Sequence, residues 1–149
     1  MDREACYQSG LKALKKVQER FPLLTVSLNE NDPNVDINMD IPVQPGLDFD
    51  INLNLQNTDE LHIGIGKLWM CWFPCTETEN PNDFFQTITG LIEGRYRILE
   101  TRKGGKVVKA QLQYPENGEW VSKSSGLATF NLPSFRRKSF NVVQNGKNS

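Results

Sequence analysis

The spacing of apolar residues along this chain alternates between two periods, one typical of helices and one typical of strands. Between residues 2 and 20 the apolar positions recur three or four residues apart, which predicts an amphipathic helix. These positions are Tyr7, Leu11, Leu14 and Val17. Asp2 is suited to cap this helix, and Phe21-Pro22 is suited to end it, because a residue before proline avoids helical geometry.

From residue 24 onward, apolar and polar residues alternate, which predicts strands of an antiparallel sheet with one face in water. The alternation covers residues 24–28, 35–41 and 47–55. Residues 61–73 are apolar at most positions, so they predict one longer and more central strand.

A second helix is predicted to start at Asn80, because Asn80-Pro81 combines a capping residue with proline at the first helical position. Its apolar stripe runs from Phe84 to Ile92, and Gly94 can end it. Further strands are predicted at residues 96–101, 107–114, 120–121, 127–132 and 139–143. Gly104-Gly105 predicts a tight hairpin between the first two of these strands.

The predicted order is helix, about four strands, helix and about four strands. This order indicates an α+β fold with a mostly antiparallel sheet and two amphipathic helices. No linker composition divides the chain, and 149 residues fit one domain. We therefore expect a single domain over residues 1–149, in which residues 145–149 form a frayed tail.

Charge is divided unevenly along the chain. Residues 21–94 contain twelve acidic residues and one cation, whereas residues 95–149 contain eleven cations and three acidic residues. The formal net charge of -1 therefore conceals an acidic part and a basic part. Such an asymmetry bears on the choice of partner more than on the fold.

The three cysteines are too few for a disulfide framework in a domain of this size, which favours reduced thiols. No apolar run approaches the ~20 residues that span a bilayer. The N-terminal residues also lack the apolar core of a signal peptide. We therefore expect a cytoplasmic protein without a membrane partner.

The alternating strands carry acidic residues at their polar positions. Asp36 and Asp40 are expected to point outward from one strand. Asp48 and Asp50 are expected to point outward from the next, and pairing through residues 42–46 would put all four on one surface. Aspartate is a poor strand former and like charges repel across strands, so the single sign of this predicted acidic face calls for a counter-charge. A basic protein partner, a divalent cation or the chain's own basic part would each supply it, and the basic part is the nearest source.

The acidic face has two alternative roles. The basic part of the chain could cover it, in which case the charge layout concerns folding alone. The alternating oxygen atoms could also bind calcium, but this interpretation is weaker, because the segment lacks the glycine turn and the terminal glutamate of an EF-hand loop.

Residues 61–75 combine the single histidine, His62, with Trp72 and two cysteines, Cys71 and Cys75. As a zinc site, the segment supplies only three ligands. As a nucleophilic site, a cysteine needs His62 as its base, but the two lie nine or more residues apart on one predicted strand. A central strand with thiols and rings in the core is the favoured interpretation, so we expect no metal site and no cofactor.

Cations and aromatic residues are interleaved in the basic part. A basic strand face with exposed aromatic rings is able to stack on single-stranded nucleic acid. The chain's pI near 5.9 weighs against this, because most nucleic-acid binders have a basic excess. The cations concerned are Arg95, Arg97, Lys106 and Lys109.

The sequence therefore predicts a non-catalytic domain that binds a protein through the acidic face. A small protein that neutralises a basic enzyme, as toxin immunity proteins do, is one concrete form of this prediction, by analogy of class. The first alternative is an enzyme or small-ligand binder with a pocket near His62, Cys71 and Trp72. The second is nucleic-acid binding through the basic hairpin.

Overall fold

Two helices and nine strands make up the part of the chain that the computed structural model describes, residues 2–124 and 138–146. The helices are α1 (Arg3–Arg20) and α2 (Glu79–Ile92). The strands are β1 (Ser27–Asn29), β2 (Ile37–Ile41), β3 (Ile51–Gln56), β4 (Glu60–Ile65), β5 (Leu68–Trp72), β6 (Arg97–Lys103), β7 (Lys106–Glu116), β8 (Glu119–Ser124) and β9 (Lys138–Val143). The predicted α+β fold is confirmed.

The strands form two antiparallel sheets. The first sheet has the order β1-β2-β3-β4-β5, and the second has the order β8-β7-β6-β9. Strand β7 lies against β5. Buried apolar side chains from both sheets and both helices form one continuous hydrophobic cluster.

Both helices pack on one face of the first sheet, which we call its inner face. Helix α1 contacts β2 and β3, while α2 contacts β4 and β5. The predicted cap is present, since the Asp2 carboxylate accepts a hydrogen bond of 3.1 Å from the Ala5 amide. Gly10 lets α1 approach the sheet closely, because a Cβ atom there would lie 2.6 Å from a methyl group of Leu55.

Strands β2 and β3 pair through the intervening loop as predicted, with Ile37 opposite Leu55 and Ile41 opposite Ile51. The predicted strand at 47–55 is wrong at its start, because β3 begins at Ile51. The preceding residues turn instead, and Gln44 and Leu47 form an isolated bridge there.

The single strand predicted over residues 61–73 is also wrong. The chain turns at Gly66, where φ is 56°, and returns as β5, so that Ile65 pairs with Leu68. Glycine adopts this left-handed conformation without steric cost, which permits the tight turn. This hairpin brings His62 and Cys71 opposite each other on neighbouring strands.

Helix α2 begins at Glu79 after Thr78, slightly earlier than predicted. Asn80 does not cap the helix. Its side-chain amide donates to the carbonyl of Pro74 at 2.9 Å. The predicted apolar stripe is confirmed, because Phe84 is fully buried and packs edge-on against Trp72.

In the second sheet, the predicted Gly104-Gly105 hairpin is present, with Lys103 opposite Lys106. The strand predicted at residues 127–132 lies outside the described residues, as do residues 147–149 of the predicted tail. Asn145 is not frayed, because its side chain donates to the carbonyls of Ile92 (2.6 Å) and Gly46 (2.9 Å). No helix of the described residues is long and apolar enough to cross a membrane.

Candidate functional site

The outer face of the first sheet carries two rows of side chains that run across all five strands. One row consists of Asn29, Asn38, Asn54, His62 and Cys71. The other consists of Ser27, Asp40, Asn52, Gly64 and Trp69. We call these ten residues the polar face. They include no lysine or arginine, and both described helices lie on the opposite side of the sheet.

Hydrogen bonds between side chains hold the centre of the polar face in one arrangement. The Asn52 amide donates to the side-chain oxygens of Asn38 and Asp40, each at 2.8 Å. Asn38 donates to the other oxygen of Asp40, also at 2.8 Å. Asn54 donates to Asn52 at the same distance. The centre of the polar face therefore carries more side-chain amides than charged groups.

Asp40 is the one member of the predicted acidic face that lies in these rows. Asp36 shares its outward direction but lies just before β2. It accepts a hydrogen bond of 3.0 Å from the Thr58 amide and lies 3.6 Å from the guanidinium of Arg3. These contacts give Asp36 a structural role in fixing the turn before β4.

Asp48 and Asp50 belong to the loop before β3, because that strand starts later than predicted. The Asp50 carboxylate accepts from the Val43 amide at 2.7 Å and closes the loop. The Asp48 carboxylate accepts from the Gly146 amide at 2.8 Å and ties down the end of the described chain. The structure therefore does not gather the four aspartates into a single row.

A second cluster lies at the β4–β5 end of the polar face. His62 is only 2% exposed there, although it points away from the helices. Its Nδ1 lies 2.7 Å from the indole nitrogen of Trp69 and 2.9 Å from the amide nitrogen of Gln56. Its Nε2 lies 2.9 Å from Oε1 of Glu60. Because an indole N–H can only donate, Nδ1 is the acceptor and the ring proton lies on Nε2, directed at Glu60.

Three donors converge on the carboxylate of Glu60. Besides His62, these are the Asn57 amide at 3.1 Å and the Cys71 thiol at 3.8 Å. Burial opposes ionisation of Glu60, but the hydrogen bonds from Asn57 and His62 outweigh it and lower its pKa. Burial and the charge of Glu60 together raise the pKa of Cys71 to about 11.

This arrangement is not that of an activated cysteine. The Cys71 thiol donates to Glu60, whereas the basic nitrogen of His62 is engaged by Trp69. A catalytic thiol needs a lowered pKa and an imidazole free to take its proton, whereas the pKa of Cys71 is raised and both ring nitrogens of His62 are engaged by other groups. The position of the two residues on adjacent strands is therefore insufficient for nucleophilic chemistry.

The remaining members of the predicted pocket face different ways. Trp72 points to the inner face, where its indole donates to Asp83 at 2.6 Å. Cys75 is buried on that side, and its thiol donates to the carbonyl of Cys6 at 3.3 Å. A groove of about 620 Å³ runs along the β5 edge and is bordered by Glu60, Cys71 and Trp72, among other residues.

The four predicted cations of the basic part lie on or next to the second sheet, in three different positions. Arg97 and Lys109 project from the same face, since Arg97 pairs with Gln113 and Thr101 with Lys109. Lys106 lies at the hairpin end. Arg95 precedes β6, and its guanidinium lies 3.6 Å from the Glu93 carboxylate.

Two large aromatic side chains share the Arg97 face. Trp120 is 38% exposed, and the Arg97 guanidinium lies 3.9 Å from the centre of its ring. Phe140 is 65% exposed and lies opposite Thr101. We call this surface the basic face, and it consists of Arg97, Lys103, Lys106, Lys109, Trp120, Lys138 and Phe140.

Few ion pairs join the acidic and basic parts of the chain. Among the described residues, two ion pairs join them: Lys123 with Asp83 at 3.5 Å, and Arg95 with Glu93 at 3.6 Å. Neither pair involves Asp40. Intramolecular neutralisation by the described cations therefore does not account for the polar face.

Glu60 and Trp69 determine the chemistry around His62, and the sequence pattern alone does not single them out. Glu60 falls between the predicted strands at residues 47–55 and 61–73, and Trp69 falls within the second of these, where aromatic rings are expected in the core. The missed signal is Gly66-Lys67, a two-residue turn inside an apolar run. A hairpin at this position puts Trp69, Cys71 and His62 on one face.

No protein family model, curated protein or solved structure matches the chain.

Proposed function

We propose that the chain is a non-catalytic cytoplasmic domain that binds another protein through the polar face. The observation that carries this proposal is the pair of cross-strand rows on the outer face of the first sheet. Asparagine and aspartate disfavour strands, yet they supply five of the ten residues of the polar face, so this face works against local propensity. A binding role explains why such residues occupy it.

The side-chain geometry of the polar face favours recognition of a partner by hydrogen bonding. Asn38, Asp40 and Asn52 are already held by one another, so little side-chain freedom is lost when a partner docks. Asp40 supplies the central negative charge, and Glu60 supplies another at the β4 end. A partner with a basic, donor-rich surface fits this chemistry, and an immunity or inhibitor protein that neutralises a basic enzyme is the concrete form we favour.

The test is recovery of a partner by immobilised protein from an extract of cells that express the chain. Asp40→Lys reverses the central charge of the polar face, while Glu116→Lys makes the same charge change at an exposed hairpin in the second sheet. We expect a partner that is captured by the wild type and by Glu116→Lys but not by Asp40→Lys. Equal capture by both variants would contradict the proposal.

A second candidate function is nucleic-acid binding through the basic face. The observation that favours it is Arg97 stacked on the exposed ring of Trp120, with Phe140 exposed on the same face. Each base stacked on an aromatic side chain contributes about 1–3 kcal/mol, so Trp120→Ala should weaken binding of a labelled oligothymidine roughly tenfold or more. The affinity should also fall steeply with salt. Absence of binding at low ionic strength would exclude this candidate.

A further inference from the structure

We propose that Glu60, His62 and Cys71 form a binding site for a zinc ion. One carboxylate oxygen of Glu60, one ring nitrogen of His62 and Sγ of Cys71 all lie within 4.8 Å of one another. The individual separations are 2.9 Å from Oε1 to Nε2 and 3.8 Å from Oε1 to Sγ. This site differs from the zinc ligands considered from sequence, since Glu60 replaces Cys75, which is buried on the inner face.

The three ligand types suit zinc. Zinc binds carboxylate oxygen and imidazole nitrogen at about 2.0–2.2 Å and thiolate sulfur at about 2.3 Å, and a tetrahedral ion therefore holds its ligand atoms roughly 3.3–3.8 Å apart. The separation of 3.8 Å between Oε1 and Sγ falls at the upper end of that range, whereas Oε1 and Nε2, at 2.9 Å, have to move slightly apart to share an ion. A soft thiolate beside an imidazole favours zinc over magnesium or calcium.

The backbone also fixes the ligands. His62 and Cys71 are paired directly across β4 and β5, and Glu60 lies two residues before His62 on the same face. Glu60 and Cys71 border the groove along the β5 edge, which leaves a fourth coordination position open to solvent. Three protein ligands with one open position are typical of zinc sites that bind a water or a further ligand.

Zinc binding requires two protons to move. The S–H bond of Cys71 breaks, its proton passes to solvent, and the thiolate binds the ion. The ring proton of His62 leaves Nε2, which becomes a ligand, and Nδ1 takes up a proton. The Trp69 indole N–H then faces Nδ1–H and has to move away, whereas the Gln56 side chain can accept from Nδ1–H after turning its amide.

Trp69 is therefore predicted to oppose zinc binding, and this provides an unusual test. Replacing it with phenylalanine removes the donor that holds the proton on Nε2. In the wild type, zinc binding has to break the hydrogen bond from Trp69 to Nδ1, whereas in Trp69→Phe there is no such bond to break. Zinc affinity should therefore be roughly two- to tenfold higher in Trp69→Phe. A purely structural role for the cluster predicts no such gain.

The experiment measures binding of Zn²⁺ to the purified, reduced chain by calorimetry and by competition with a chelating dye. Co²⁺ serves as a spectroscopic probe, because a thiolate ligand produces a charge-transfer absorption. We expect the wild type to bind one ion per chain. Cys71→Ser and Glu60→Gln each remove a proposed ligand, so each should weaken zinc affinity by more than the roughly 10–100-fold that is typical when a residue outside the ligand set is changed. Cys75→Ser is the matched control and should retain both the affinity and the cobalt–thiolate band.

Absence of stoichiometric binding to the wild type would overturn the proposal. So would undiminished binding to folded Cys71→Ser or Glu60→Gln, whose folding circular dichroism verifies. Loss of the cobalt–thiolate band in Cys75→Ser instead of Cys71→Ser would assign the metal to the other cysteine and refute the site. Unchanged affinity in Trp69→Phe would overturn coordination through Nε2 of His62.

Discussion

The indole nitrogen of Trp69 lies 2.7 Å from Nδ1 of His62 and donates a hydrogen bond to it. This contact determines the chemistry of the whole cluster. It occupies the one nitrogen of His62 that could accept a proton and directs the other toward Glu60. With both ring nitrogens engaged, His62 acts as a hydrogen-bonded structural group and not as a base for Cys71.

The first prediction concerns the reactivity of Cys71. Because its pKa is raised to about 11, the thiol should react slowly with iodoacetamide at pH 8 and much faster above about pH 10. Glu60→Gln removes the neighbouring charge, and labelling should accelerate roughly tenfold for each unit by which the pKa falls. Mass spectrometry of the labelled chain locates the site. Rapid, selective labelling of Cys71 at pH 7 in the wild type would instead indicate an activated thiol and support the enzyme alternative.

The second prediction concerns acid stability. The folded pKa of Glu60 is lower than its ordinary value of 4.5, because hydrogen bonds to its carboxylate outweigh burial. Its contribution to stability is therefore complete above that ordinary value and is lost as the pH falls through the folded pKa. Glu60→Gln should lower the free energy of unfolding at pH 7 by on the order of 1 kcal/mol.

Urea denaturation at pH 7 and pH 3 tests this linkage. The difference in unfolding free energy between the wild type and Glu60→Gln should be smaller at pH 3 than at pH 7, because pH 3 lies below the ordinary pKa of 4.5. A difference that is the same at both pH values would show that Glu60 does not contribute through its charge.

The fold could be predicted from the sequence because its local signals agree with one another. The helical spacing up to Val17 and the alternation from Ile37 to Ile41 each specify one buried face, and that face packs as expected. The exact ends of elements were harder to predict. Asp48 and Asp50 continue the alternating pattern of β3, but their carboxylates bind backbone amides and close a loop. Side-chain to backbone hydrogen bonds compete with strand pairing in this way.

The candidate site could be predicted only in part, because it depends on register. The outward residues of β2 and β3, such as Asn38 and Asn52, share one surface because the two strands pair through the predicted loop. The cluster around His62 depends on a two-residue turn in an apolar run. If residues 61–73 formed one strand, His62 and Cys71 would lie far apart along it. Because the chain turns at Gly66, the two residues are paired on adjacent strands instead.

The third prediction concerns Asn145, which joins the C-terminal strand to the first sheet. Its side chain donates to the carbonyls of Ile92 and Gly46, and it accepts from the Asp48 amide at 2.9 Å. Asn145→Ala should destabilise the chain by about 1–3 kcal/mol, because it leaves these backbone groups without their partner. Urea denaturation measures the loss.

Asn141→Ala is the matched control for this change. Asn141 lies on an exposed part of β9, and its amide donates to the Glu100 carboxylate at 3.0 Å. Its removal should cost less than about 0.5 kcal/mol, as is usual for exposed surface positions. Similar losses in the two variants would contradict an anchoring role for Asn145.

The fourth prediction concerns the contact between Gly90 in α2 and the ring of Tyr96. A Cβ atom at position 90 would lie 2.5 Å from Cδ2 and 2.6 Å from Cγ of that ring. The Tyr96 backbone cannot retreat easily, since its amide donates to the Gly90 carbonyl at 2.9 Å. Gly90→Ala should therefore destabilise the chain by about 1–3 kcal/mol through overpacking, despite the better helix propensity of alanine.

A double-mutant cycle separates these opposing effects. In a Tyr96→Ala background the ring is absent, so Gly90→Ala retains only the gain in helix propensity, which is up to about 1 kcal/mol. The same substitution should then be destabilising in the wild type and stabilising in Tyr96→Ala, as measured by urea denaturation. If Gly90→Ala destabilises both backgrounds equally, the ring does not explain the glycine, and the requirement lies in the backbone of α2 itself.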